Sequence, residues 1–259
     1  MASAMVSAKG LTKFYGNFPA IENVSFDVPK GQILGFLGPN GSGKTTTMRI
    51  LTGFMPPSSG TIEIAGYDVL TQSLEARKHI GYLPESVPLY TDMAVIDYLR
   101  FMGKIRGMNN KILNTRIKDV ISICHIEDYA VTHIGKLSKG YRQRVGLAQA
   151  IIHEPDILFL DEPTIGIDPI QVVETRELIK ELGREHTIII SSHILPEVGM
   201  ICQRILIIHE GQVVAEDTPK NLSQRLKSTE KLELEIRGPA NEIVDALRSL
   251  KGVNEVTHQ

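Results

Sequence analysis

The chain has 259 residues, 42% of them hydrophobic, which is enough for a full α/β core plus an appendage. A net charge of −2 offers no basic face for nucleic acid or anionic lipid, and two cysteines without a C-x-x-C pair fit a reducing compartment. The N-terminus has no charged segment followed by an apolar stretch, and no apolar run approaches the ~20 residues of a membrane helix, so neither a secretory signal nor a span is expected.

Residues 6–80 open with strand-like alternation, punctuated at Gly16-Asn17, Pro29-Lys30-Gly31 and Pro56-Pro57-Ser58-Ser59-Gly60. The first two strands are expected to form an antiparallel piece packed on the core. Ile33 to Leu37 is a short apolar run suited to a buried parallel strand. It runs into Gly38-Pro39-Asn40-Gly41-Ser42-Gly43-Lys44-Thr45, a gapless G-x-x-x-x-G-K-[ST], and then into a helix over Thr45–Leu51 ended by Gly53. Strand, glycine loop and helix N-terminus together make an anion cradle, because free N–H groups and the helix dipole point at the phosphates. Lys44 is placed for the β- and γ-phosphates, Thr45 for Mg²⁺ and Thr46 for the α-phosphate. The loop points to a nucleoside triphosphate.

From Glu85 to Leu137 the pattern turns helical. Val95, Tyr98, Leu99, Met102 and Ile105 recur at helical spacing, followed by Ile112, Ile117, Val120, Ile121 and Ile123, and this stripe is expected to be core. Ser138 and Gly140 open a further helix, Tyr141 to His153, stopped by Glu154-Pro155. A serine hydroxyl, backbone N–H groups and a positive helix end make a second anion site.

Ile157 to Leu160 is another buried strand, and it ends in Asp161-Glu162-Pro163. An acid at the carboxyl end of a parallel strand sits where α/β sheets bind ligands. Asp161 is placed to hold Mg²⁺ through water, and Glu162 to polarise the attacking water. Thr187 to Ile190 is a third apolar strand, and His193 follows it, in reach of the γ-phosphate. The other seven histidines fit no motif and read as surface or packing residues.

Leu137-Ser138-Lys139-Gly140-Tyr141-Arg142-Gln143-Arg144, taken with these elements, resembles the signature sequence of ABC-type ATPases, and the resemblance covers most of residues 6–226. It implies an α/β P-loop NTPase core with an antiparallel β subdomain and a helical subdomain at about 86–140, all within an ATPase domain of residues 1–226. It implies that two copies sandwich two ATP molecules with Mg²⁺, Ser138 and Gly140 of one copy meeting the γ-phosphate held by the other. Tyr15 matches the aromatic that stacks on adenine, and Asp168 matches the loop that contacts the partner cassette. Lys139 replaces the commoner glycine. Glu85 stands where most members have Gln, a position that joins the metal to the surface facing the membrane subunit, and a carboxylate there can still hold Mg²⁺ or its water.

The Pro84-Glu85 form resembles the exporter branch of drug, polysaccharide and gliding-motility systems. The implied function is ATP hydrolysis that powers export through a separate polytopic membrane permease. The chain would work as a homodimer, or as a heterodimer with a related cassette, on the cytoplasmic face of the cell membrane and without nucleic acid. The alternative is a soluble ABC ATPase of a cofactor-assembly or remodelling complex. After Pro219 the chain changes character. Strands over Lys231–Arg237 and Val253–Val256 flank a helix over Asn241–Leu250, resembling the start of the accessory domain of longer exporter ATPases at residues 227–259.

Overall fold

Two long strands, β1 (Ala4–Tyr15) and β2 (Phe18–Pro29), form a hairpin that turns at Gly16-Asn17. The computed structural model describes residues 4–227, 235–250 and Val256. With β4 (Ser59–Ile64) and β5 (Tyr67–Asp68) the hairpin builds an antiparallel sheet in the order β2-β1-β4-β5. The second sheet contains β3 (Ile33–Leu37), β6 (Ile80–Leu83), β7 (Ile157–Asp161), β8 (Thr187–Ser192), β9 (Arg204–His209) and β10 (Gln212–Asp217). Its order is β10-β9-β3-β8-β7-β6, parallel except for the β9–β10 hairpin.

The apolar runs of β3, β7 and β8 are buried throughout because both faces of this sheet are covered. Successive side chains then serve two cores. Ile157, Phe159, Ile189, Leu34 and Phe36 pack toward the antiparallel sheet and Met48, Ile50 and Leu51. Leu158, Leu160, Ile188 and Ile190 pack toward the helices on the other side. The order β3-β8-β7 also sets three strand ends side by side, with Leu37 opposite Ser192 and Ser191 opposite Asp161. This places the site.

The helical face comprises α3 (Val95–Ile105), α4 (Asn110–Ile123) and α5 (Lys139–Ile151). α1 (Lys44–Leu51) follows β3, α2 (Ser73–Lys78) precedes β6, and α6 (Pro169–Leu182) and α7 (Leu195–Gly199) flank β8. Asn109 caps α4 by accepting from the Lys111 N–H at 2.9 Å. The stripe read as core divides. Val95, Tyr98, Leu99, Ile117, Val120 and Ile121 are buried, whereas Ile105 and Ile112 are 62% and 58% exposed. Both sit on the outward side of their helices, while the neighbouring Leu113 is buried against Gly103.

His153 lies just past the α5 C-terminus and bonds the Ile80 carbonyl through Nε2 at 3.0 Å, while its Nδ1 is buried without a partner. Burial pushes its pKa down from the ordinary 6.5 to about 4, and Arg106, Arg116 and His186 act in the same direction. Unfolded chain therefore takes up this proton below pH 6.5, while folded chain resists it until about pH 4. The stabilisation is complete above pH 6.5, is lost as pH falls through that window, and amounts at most to about 3 kcal/mol. His153→Gln keeps a donor but does not titrate, so the fall in Tm between pH 7 and pH 5 should shrink relative to wild type in thermal melts. An unchanged fall would refute this role.

The chain divides into a unit ending at Leu222 and a second, Ser223–Gln259. α8 (Pro219–Lys227) leads out of the first, and the second contains α9 (Ala240–Arg248) where the sequence called for a helix over Asn241–Leu250. Of the expected strand Lys231–Arg237, residues 231–234 lie outside the described residues and Glu235–Arg237 has no regular structure. The expected strand Val253–Val256 lies outside the described residues except for Val256.

Candidate active site

The phosphate loop is built at close quarters. Gly43, with φ +105, is the N-cap of α1, and a Cβ there would come within 2.6 Å of Ile21 Cγ2 and 2.8 Å of the Ala20 carbonyl, so only glycine fits. Lys44 follows at the first helical position, buried, its ammonium 2.8 Å from the Gly38 carbonyl and 3.1 Å from that of Pro39. The same ammonium is 3.4 Å from Glu162 Oε1, an ion pair rather than a hydrogen bond.

Asp161 closes β7 and Glu162 follows it with φ +46. A left-handed non-glycine residue costs roughly 1–3 kcal/mol and persists only where its surroundings hold it. Its N–H donates to Ser191 Oγ at 2.9 Å, and its Oε2 meets His193 Nδ1 at 3.0 Å. Lys44, Glu162 and His193 thus form one chain of polar contacts. Ser191 Oγ donates to Asp161 Oδ1 at 2.6 Å, and Thr45 Oγ1 approaches the same oxygen at 3.4 Å. Burial pushes the Asp161 carboxyl above its usual range; the Ser191 and Thr45 hydrogen bonds oppose this, and the charges of Glu162 and Glu85 add to it.

Lys44, Thr45 and Glu162 open on a cleft of about 350 Å³, whereas Asp161, Ser191 and His193 stand behind or beside it and are not among its lining residues. It is lined by Tyr15, Asn40, Gly41, Gly43, Lys44, Thr45, Thr46, Glu85 and Glu162, together with Phe18, Ala20 and Ile165. Tyr15 stands half-exposed at the hairpin end, its hydroxyl 3.3 Å from Met55 Sδ, with Phe18 paired opposite it across the turn. A divalent cation fits here on chemistry. Thr45, Asp161 and Glu85 offer only oxygens, and Asp161 Oδ2 is buried without a hydrogen-bond partner. Among the described residues no cluster of three or more His, Cys, Asp and Glu could hold a metal, so an ion bound here would draw further ligands from phosphate and water.

Ser138, Gly140 and Asp168 are not among the lining residues. They form a second cluster where α5 and α6 begin. Ser138 caps α5, accepting from the Tyr141 N–H at 3.4 Å, and Asp168 caps α6, accepting from the Gln171 N–H at 3.0 Å. The Gln171 amide lies so close over Gly140 that a Cβ there would fall 1.5 Å from its oxygen. A side chain at Gly140 would have to displace the Gln171 amide, which is the end of a flexible, partly exposed side chain.

Sequence reasoning missed Ser191, Phe18, Gln171 and Glu197. Glu197 Oε2 accepts from Thr164 Oγ1 at 2.8 Å and from Ser192 Oγ at 3.3 Å, and so joins the loop after β7 to the one after β8. Only Ser191 carried a signal, its place two residues before His193 in a strand of alternating faces.

Residues 21–165 match the protein family described as ABC transporter. The linearmycin resistance ATP-binding protein LnrL of Bacillus subtilis (strain 168) is 34% identical over 256 residues, 98% of this chain and 82% of that protein. The bacitracin transport ATP-binding protein BcrA of Bacillus licheniformis is 39% identical over 225 residues, 86% and 72% of the two chains. Among solved structures, an ATP-binding subunit of an ABC transporter superposes with a TM-score of 0.77 at 28% identity, covering 86% of this chain and 93% of the other. A dimeric ATP-binding cassette in a post-hydrolysis state, bound to ADP and Pi, gives a TM-score of 0.75 at 25% identity, covering 83% and 99%. Motif, fold and relatives agree that the chain belongs to the ABC transporter family, as an ATP-binding and ATP-hydrolysing subunit of the export-type branch.

Proposed function

We propose that two copies of this chain, or one copy and a related cassette, close head-to-tail around two ATP molecules and drive export through a separate polytopic permease. The assembly would sit on the cytoplasmic face of the cell membrane, and no nucleic acid takes part. The observation that carries this reading is the continuous polar contact Lys44–Glu162–His193 beside the Thr45–Asp161 pair, at the ends of three adjacent strands.

In each site Tyr15 stacks on adenine, the backbone from Gly38 to Gly43 and the N-terminus of α1 cradle the phosphates, and Thr46 takes the α-phosphate. Lys44 exchanges its carbonyl partners for the β- and γ-phosphate oxygens. Mg²⁺, when bound, neutralises charge developing on those oxygens, and Thr45, Asp161 and Glu85 would hold it or its waters. Glu162 takes the proton of the attacking water. His193 keeps its Nδ1 contact with Glu162 and presents the opposite ring nitrogen to the γ-phosphate.

By the resemblance to ABC-type ATPases, Ser138 and Gly140 at the head of α5 serve the nucleotide of the opposite copy, and Asp168 contacts the partner cassette near its phosphate loop; their place off this chain's own cleft is consistent with that reading. Closure is driven by the closed state's greater affinity for ATP, and phosphate loss reopens it. Residues 1–226 would form the ATPase domain, with a helical subdomain at about 86–140, and 227–259 an accessory segment.

The test is a tagged pull-down from detergent-solubilised native membranes with mass spectrometry. A polytopic membrane protein in near-equal amount is the expected result. A soluble complex with nothing from the membrane would overturn the transport reading in favour of an assembly or remodelling ATPase.

A further inference from the structure

Ser191 is the penultimate residue of β8, which is buried throughout, and has no solvent exposure. The β7–β8 register puts it directly opposite Asp161. A serine hydroxyl has one proton to give and lone pairs to receive, and here both are used on consecutive acids. The proton goes to Asp161 Oδ1 at 2.6 Å, and a lone pair takes the Glu162 N–H at 2.9 Å.

Each contact has a directional consequence. With Oδ1 engaged by Ser191, and at 3.4 Å by Thr45, the Asp161 carboxylate keeps a single orientation in which Oδ2 is the oxygen left without a partner. At Glu162 the backbone is left-handed, φ +46, and the N–H held by Ser191 helps fix it there. That backbone angle decides where the Glu162 side chain leaves the strand, and so whether its two oxygens reach Lys44 and His193. Neither Lys44 nor His193 restrains the backbone of Glu162. Ser191 does, and from the neighbouring strand.

We infer that Ser191 is a positioning residue for ATP hydrolysis, its hydroxyl fixing the relative orientation of Asp161 and Glu162; this rests on the roles proposed above for those two acids. Ser191 is buried and is not among the residues that line the cleft. It acts through the acids, so its loss should impair turnover and the use of metal while leaving nucleotide affinity alone.

Ser191→Thr and Ser191→Val are near-isosteric and differ by a hydroxyl against a methyl, which separates the hydrogen bonds from packing. The measurements use the full chain. They are kcat and KM for ATP, the Mg²⁺ concentration for half-activation, Kd for a fluorescent ATP analogue without metal, and Tm, with Glu162→Gln alongside. Ser191→Val should lose roughly 10- to 100-fold in kcat relative to Ser191→Thr and need more Mg²⁺, with Kd within about twofold. Equal kcat and equal Mg²⁺ requirement in the two variants would overturn the inference, whatever their melting temperatures. A Glu162→Gln variant that turns over normally removes the reading beneath it, and the inference with it. An inactive Glu162→Gln beside equal Thr and Val variants removes the inference alone.

Discussion

Glu162→Gln is expected to lower steady-state ATP hydrolysis by about 10²- to 10⁴-fold while leaving ATP binding intact. The substitution keeps the shape of a buried side chain that has two partners. The amide oxygen can face Lys44, as Oε1 does now at 3.4 Å, and the amide NH2 can then donate to an unprotonated His193 Nδ1 at 3.0 Å. What is lost is the base. Oriented water remains beside the γ-phosphate, but nothing accepts its proton. If ATP binding closes two copies, the variant should accumulate closed, eluting as a dimer in size-exclusion chromatography with ATP and as a monomer without it. Normal hydrolysis would remove Glu162 as the base. An inactive variant that stays monomeric with ATP would leave the base standing and count against closure as proposed. The ATP-dependent rise in Tm is the control that binding survived, since a ligand that binds only the folded form stabilises it by RT ln(1 + [L]/Kd).

The parts legible in sequence are those whose chemistry is local. Gly38 to Thr45 announces itself because a phosphate cradle needs glycines and a lysine at fixed offsets. β3, β7 and β8 read as buried strands because a sheet covered on both faces needs unbroken apolar runs. The parts that were not legible depend on which strands become neighbours. That Ser191 meets Asp161 follows from β8 inserting between β3 and β7, and spacing along the chain does not reveal it. The Gln171 amide over Gly140 likewise depends on how α6 is laid against α5. Periodicity located α3 and α4 but overstated their buried face, because it counts apolar residues and does not tell which of them neighbouring elements cover, as with the exposed Ile105 and Ile112. The left-handed backbone at Glu162 has no sequence signature at all; glutamate there costs free energy that only the finished site offsets.

Lys44→Ala is expected to abolish tight nucleotide binding, with at least a ~100-fold rise in Kd, because charge-assisted hydrogen bonds to phosphate are each worth about 1.5–3 kcal/mol. A second effect comes from the protein itself. Lys44 and Glu162 are buried at 5% and 7% side-chain exposure, so alanine leaves a buried carboxylate with His193 Nδ1 as its remaining side-chain partner, and leaves the Gly38 and Pro39 carbonyls without this donor. Breaking a buried pair from one side can cost about 3–5 kcal/mol; His193 and the half-open cleft should hold the loss here to roughly 1–3 kcal/mol. The two effects separate in the double variant Lys44→Ala with Glu162→Gln. Neutralising the orphaned acid should restore much of the Tm lost by Lys44→Ala, whereas affinity for a fluorescent ATP analogue should stay as poor as in the single variant. If the double variant regained both, Lys44 would be acting on the nucleotide only by keeping Glu162 quiet. If it regained neither, the ion pair would contribute nothing to stability, and the lysine's partners that matter would be the two carbonyls and the phosphates.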